Sequence, residues 1–358
     1  MGNSRIAANR LASLDILRGL DLFMLVFLQP VLVEIARVAN LPWLNSVMYQ
    51  LDHEVWVGFR AWDLVMPLFL FMVGASMPFS FAKYRSGTDL KPLYKRILRR
   101  FLLLFLFGMI VQGNLLALDP ERILIYNNTL QSIAVGYLIA AVLMLHCTVR
   151  IQVWITAALL AVYWLPMHFC GDYTLEGSFA YKVDRIVIGR FRGDLSYTWI
   201  WSSLNFGVTV MLGSFAGQII RSVGKIKAAA MLAVTGVALV GAGLLWSLEM
   251  PIIKRLWTSS MTLFSGGLCF MFLAVFYLVV DCIGFSFGLN WLKIYGMNPI
   301  TAYVLGEVVN FRSIVSSLSY GLEQYLGDYW NAWLTFGNFL ILFFILYAMY
   351  RRRIFLRL

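Results

Sequence analysis

The sequence predicts an all-α polytopic membrane protein, a bundle of about ten transmembrane helices, and three observations point to this fold. Of 358 residues, 61% are hydrophobic and only 13% charged, more apolar surface than a soluble core of this length can bury. Apolar runs of roughly the 20 residues that a helix needs to cross a hydrocarbon core recur along the whole chain. Lys and Arg gather in every second break between those runs, the bias that keeps such connections cytoplasmic.

The first run, 16–38, follows MGNSRIAANRLASLD, which carries Arg5 and Arg10 but no apolar stretch ending in a small-residue cleavage site, so this helix is expected to be its own anchor. An outer loop at 39–63 leads to the second run, 64–82. A basic connection with Lys83, Arg85, Lys91, Lys95, Arg96, Arg99 and Arg100 precedes the third, 97–118. The runs 129–147 and 150–168 come next, then a longer outer loop, 169–200. Its Lys182, Arg185, Arg190 and Arg192 stand against the inside bias but are offset by Asp172, Glu176, Asp184 and Asp194. Arg221, Lys225 and Lys227 separate 203–222 from 228–248, and the runs 259–281, 291–310 and 330–350 end before Arg351, Arg352, Arg353 and Arg357. The reading is a single transmembrane domain over 1–358, with both termini cytoplasmic and a homodimer allowed. The net charge of +11 then reflects topology and attraction to anionic headgroups, and no nucleic-acid partner is expected.

Polar residues stand out against this background. His53 lies in the first outer loop between Asp52 and Glu54; carboxylates favour its protonated form and can also orient a neutral ring as a base. A solvated loop histidine is the plainer reading of His53 alone, as helix capping is of Asp63. Asp15 and Arg18, three apart, would pair on one helix face. Asp21, Gln29, Asn114, Asn298 and Glu307 sit inside or at the ends of apolar runs, where an ionised group costs at least a few kcal/mol unless it meets a partner or a wet cavity; they suggest a polar tunnel. By helical rise, His53, Asp63, Gln29 and Glu307 can converge near one outer level. The four cysteines lack metal-site or CxxC spacing, so neither a metal nor a structural disulfide is expected. No Walker A motif is present, and SGGLCF at 265–270 reads as close helix packing.

RLASLDILRGLDLFMLVF at 10–27, HEVWVGFRAWDLVMPLFLFMVGASMPFS at 53–80 and YGMNPITAYVLGEVV at 295–309, with LQSIAVGYLIAAVL at 130–143 and LGSFAGQII at 212–220 between them, together resemble the heparan-α-glucosaminide N-acetyltransferase family and its bacterial relatives. The resemblance covers most of the chain and implies a single domain of the transmembrane acyltransferase type in a bacterial inner membrane. It implies transfer of acetyl from cytosolic acetyl-CoA across the membrane to an amino sugar or glycan on the outer side. It implies roles for His53 as the active histidine, for Asp63 as its acid, and for Gln29, which stands where the animal enzymes have an active-site Asn. Arg10, Arg18, Arg99 and Arg100 are then candidates for the CoA phosphates, with Lys95 beside them, and Asp15, Asn298 and Glu307 for the substrate path. An imidazole titrating near neutrality can take the proton from the attacking amine, while Gln29 or Asn298 donates to the thioester oxygen. A transporter or flippase of a polar or lipid-linked solute, and a glycan O-acetyltransferase, are the competing readings.

Overall fold

The computed structural model describes residues 11–82, 90–193 and 196–356; Arg5, Arg10, Lys83, Arg85, Asp194 and Arg357 lie outside them. The described residues form helices and connecting loops with no strand. Eight helical stretches are long and apolar enough to cross a bilayer, which makes this a polytopic helical membrane protein.

In chain order the helices are α1 (Ala12–Phe23), α2 (Gln29–Ala39), α3 (Pro42–Gln50), α4 (Val65–Phe81), α5 (Lys91–Val111), α6 (Thr129–His146), α7 (Val149–Phe169) and α8 (Phe179–Val187). They continue as α9 (Ser203–Ser222), α10 (Lys225–Trp246), α11 (Ser259–Phe276), α12 (Leu292–Met297), α13 (Pro299–Val308), α14 (Arg312–Ser319), α15 (Glu323–Leu326) and α16 (Trp330–Arg351). A π turn, Met24–Leu28, joins α1 to α2 just before Pro30, whose missing N–H widens the local register.

Two of the expected runs, 97–118 and 291–310, are not among these eight stretches of the described residues. The run at 97–118 stops at Val111, because Gly113 and the left-handed Asn114 (φ 55°) break the helix. Its first turns carry Lys91, Lys95, Arg96, Arg99 and Arg100, which leaves a short apolar remainder. The run at 291–310 is split at Asn298 (φ −127°, ψ 54°), since the following Pro299 disfavours helical backbone at the residue before it.

Close backbone contact holds the bundle. A Cβ on Gly74 of α4 would lie 1.9 Å from the Val210 carbonyl oxygen of α9, and one on Gly213 of α9 would lie 1.9 Å from that of Phe71. Gly19 and Gly296 make the same mutual approach between α1 and α12, and Gly236 and Gly267 a looser one between α10 and α11, which is the packing role expected of SGGLCF. Helices in lipid have little hydrophobic drive to associate, so such contacts carry much of the cohesion. Clamped by α9 along one side, α4 turns another toward the interior of the bundle.

Candidate active site

His53 sits in the loop between α3 and α4 with its side chain partly exposed. Neither neighbouring carboxylate holds the ring, contrary to the simplest reading of Asp52-His53-Glu54. Asp52 points to solvent and accepts from the backbone N–H of His53 (2.7 Å). Glu54 receives a two-pronged bond from Arg60 (Nε to Oε2 3.0 Å, Nη2 to Oε1 3.2 Å), which holds its carboxyl below its usual range. The ring's partner is Asp63: Nδ1 to Oδ1 is 2.8 Å, and the carboxylate is almost fully buried. The other oxygen of Asp63 accepts from the backbone N–H groups of Glu54 (3.1 Å) and Arg60 (3.0 Å), so this residue caps the turn leading into α4 and orients the histidine at once.

Sequence reasoning missed Lys254. In the loop between α10 and α11 it buries its side chain and brings Nζ to 3.3 Å from Asp63 Oδ1 and 3.0 Å from His53 Nδ1. Burial pushes its pKa down to about 8 against the opposing pull of Asp63. An ionised Asp63 that already accepts two backbone bonds can also accept from Nδ1–H and from the ammonium, and in that tautomer the Nε2 lone pair is free. The loop is fixed by the Gly58 N–H bonding to the Ile252 carbonyl (2.9 Å) and by Thr258 Oγ bonding to Pro251 (2.9 Å). One signal in the sequence pointed here: Lys254 and Arg255 are basic residues in a connection expected on the outer side.

His53 and Lys254 open onto a cavity of about 530 Å³. Trp62 in the turn Ala61–Leu64 and Met66, Phe69, Val73, Ser76 and Ser80 on α4 line it at helical spacing, so the cavity follows one face of this turn and helix for roughly 27 Å, close to the thickness of a hydrocarbon core. Arg18, Arg96 and Arg100 line it as well, with Ser80 and Leu356 toward the end of α4 remote from His53. The walls between are largely apolar: Leu22, Leu25, Leu104 and Ile133. Near the histidine, Tyr197 and Trp199 complete the wall, and burial pushes the Tyr197 hydroxyl up to about 12, so it stays a donor. Asp184 holds this segment by accepting from the backbone N–H groups of Trp199 (2.8 Å) and Ile200 (2.9 Å); burial raises its own pKa to about 6.

A family model described as "Heparan-alpha-glucosaminide N-acetyltransferase, catalytic" matches residues 10–241, more than half of the chain. The chain belongs to this family. Two heparan-alpha-glucosaminide N-acetyltransferases are similar over a longer stretch: that of Mus musculus, 26% identical over 85% of this chain and 54% of its own, and that of Homo sapiens, 26% identical over 84% and 53%. The chain therefore spans about half the length of the curated relatives it matches. The segment matched by the heparan-α-glucosaminide N-acetyltransferase model contains His53, Asp63, Arg18, Arg96 and Arg100, while Lys254 lies beyond it.

The other residues singled out in the sequence are dispersed. Arg18 pairs with Asp15 (3.7 Å) and reaches the Met72 carbonyl (3.5 Å); Arg18 lines the cavity and Asp15 does not. Arg100 lays its guanidinium 4.5 Å from the Tyr137 ring centre, whereas Arg99, on the same helix, is exposed and off the wall. Arg10 lies outside the described residues. Asn298 is not on the wall either: it donates to the Ile354 carbonyl (3.0 Å) and accepts from the Leu356 N–H (3.0 Å), fastening the chain after α16 to the break between α12 and α13. Asp21 is buried between helices, and Asn114 bonds to the Arg122 carbonyl at the surface. Gln29 donates to the Leu51 carbonyl (3.5 Å) and faces a separate cleft; Glu307 borders both that cleft and the cavity. Among the described residues no cluster of His, Cys, Asp or Glu is arranged to hold a metal, and all four cysteines are free.

Proposed function

We propose that this protein transfers the acetyl group of acetyl-CoA to the amine of a glucosamine-type sugar across a membrane, with the CoA nucleotide at the Arg96 and Arg100 end and the amine at His53. The observation that carries the reading is the bilayer-long cavity joining a basic mouth to a His–Asp–Lys cluster. CoA is too charged to cross, but its neutral arm suits apolar walls and its phosphates suit guanidinium groups. Sidedness follows the charge bias: the basic mouth is cytoplasmic and the His53 loop is on the outer side.

In the reaction, His53 Nε2 takes a proton from the amine as its nitrogen attacks the thioester carbonyl carbon. The C–N bond forms, negative charge gathers on the carbonyl oxygen, and the C–S bond then breaks with the proton passing to the departing thiolate. Asp63 holds the ring in the Nδ1–H tautomer and stabilises the imidazolium. Lys254 supplies positive charge beside the reacting centre, the part first expected of Gln29 or Asn298. Direct transfer is favoured over an acetyl-histidine, because the thioester is already activated for an amine.

The test is CoA release by the purified protein with acetyl-CoA and glucosamine. Turnover is expected, with no acetyl on the His53 peptide after incubation with labelled acetyl-CoA alone. A stoichiometric adduct that glucosamine discharges at the steady-state rate would replace direct transfer by two steps. Absence of CoA release across a panel of amino sugars would return the protein to the transport reading.

A further inference from the structure

The cleft faced by Gln29 has a volume of about 420 Å³ and is walled by α2, the end of α13, the start of α14 and the outer turns of α16. Its polar lining differs in kind from the middle of the cavity: Gln29, Glu34, Glu307, Asn310, Arg312 and Asn338 surround it. Two of these are carboxylates, and they are not equivalent. Glu34 is already neutralised, by Arg37 (3.0 Å) and Arg312 (3.7 Å). Glu307 makes no hydrogen bond or ion pair among the described residues. It is also the one described residue that borders both the cleft and the cavity of His53 and Lys254.

We infer that this cleft is the docking site of the acceptor, and that the Glu307 carboxylate is the group that selects an ammonium-bearing sugar over its neutral hydroxy counterpart. The inference rests on the acetyl-transfer reading and adds to it the place and chemistry of acceptor recognition. A sugar needs several hydrogen-bonding groups held around an open volume, and the amides of Gln29, Asn310 and Asn338 provide them beside the two acids. An ammonium needs an unneutralised anion, which Glu307 provides and Glu34 does not. Because Glu307 stands at the boundary, the bound ammonium is delivered to the side of the cleft that opens on the cavity; it gives one proton to solvent as it leaves the carboxylate, and His53 takes the second as the freed amine attacks. Glu307 is a specificity residue in this scheme; the proton transfer itself belongs to His53.

Binding separates this inference from the reaction. Glucosamine and glucose, which differ at the amino group, are titrated into the full-length protein in nanodiscs, and CoA release with acetyl-CoA is read on the same samples. Glucosamine is expected to bind wild type roughly tenfold or more tightly than glucose, in keeping with a charge-assisted hydrogen bond. Glu307→Gln, an isosteric change, should erase that preference while leaving acetyl-CoA binding intact. Glu34→Gln should change the preference by less than about threefold, since its charge is already spent on two arginines. Equal binding of the two sugars by wild type, or a preference that survives Glu307→Gln, would overturn the inference. An amine preference that Glu307→Gln removes, without CoA release, would keep the cleft as the amine site and sink acetyl transfer instead.

Discussion

Lys254 reaches Asp63 from the far half of the sequence, Nζ to Oδ1 3.3 Å, and joins the same carboxylate atom that holds His53. This shared acceptor makes the protonation of Lys254 part of the proposed chemistry. Its pKa is depressed to about 8, so the ammonium is present below that pH and lost above it. The rate constant kcat/KM for acetyl-CoA is expected to fall on an alkaline limb near 8, and Lys254→Arg should remove the limb because a guanidinium keeps its charge. Lys254→Met should cost on the order of 100-fold at neutral pH. Stability runs the other way: the unfolded lysine binds its proton more tightly, so folding strengthens as pH rises from about 8 to the ordinary value of 10.5. A limb unchanged in the arginine variant would assign it to another group.

His53→Ala should reduce acetyl transfer by about 10² to 10⁴-fold with little change in melting temperature, since the ring is partly exposed. Asp63→Asn should be comparably inactive and also unstable, by about 3–5 kcal/mol, because it strands the buried Lys254. Adding Lys254→Met to Asp63→Asn should recover part of that stability but no activity. Calorimetry in detergent alongside CoA release distinguishes the two effects; an Asp63→Asn variant as stable as wild type would mean that the pair contributes no stability.

Arg96 and Arg100 line the mouth proposed for the CoA nucleotide. Arg96→Gln and Arg100→Gln should each raise KM for acetyl-CoA by roughly 10- to 100-fold, the worth of a hydrogen bond to a charged group. With S-acetyl-pantetheine, which lacks the nucleotide and its phosphates, the same variants should match wild type. Arg99→Gln, altered at an exposed position on the same helix, is the comparison. Equal losses with both thioesters would place these arginines in structural support of α5.

Cys170 is exposed at the end of α7, in the long connection assigned to the outer side. A membrane-impermeant maleimide should label it in intact cells and fail to label Cys170→Ser. Labelling only after the membrane is opened would invert the topology and place His53 on the side of the CoA nucleotide.

The helices were largely legible in the sequence because their apolar runs are long, and the two whose bounds or continuity differ turn on local backbone chemistry: Gly113 with Asn114, and Asn298 with Pro299. His53 and Asp63 stood out through the family motif. What was hidden is pairing at a distance. Asp52 and Glu54 adjoin His53 in sequence yet turn to solvent and to Arg60, while Lys254 arrives from another loop. Asn298 looked like a tunnel residue because a buried amide in an apolar run needs partners; those partners proved to be backbone groups of Ile354 and Leu356.

The anchoring of Leu356 by Asn298 bears on how the protein is made. The cavity is bounded by residues from Arg18 to Leu356, and the buried Asp63 at its His53 end emerges from the ribosome long before its lysine exists. At roughly 5–20 residues per second, Lys254 follows Asp63 by some 10–40 s, and the last wall residue comes several seconds later still. During that interval the nascent outer loop must keep Asp63 hydrated or protonated. Biogenesis thus ends, and does not begin, with the closing of this cavity, so an arrested or shortened nascent chain lacking α16 and its following residues would be inserted in the membrane yet be open at the end that Leu356 closes.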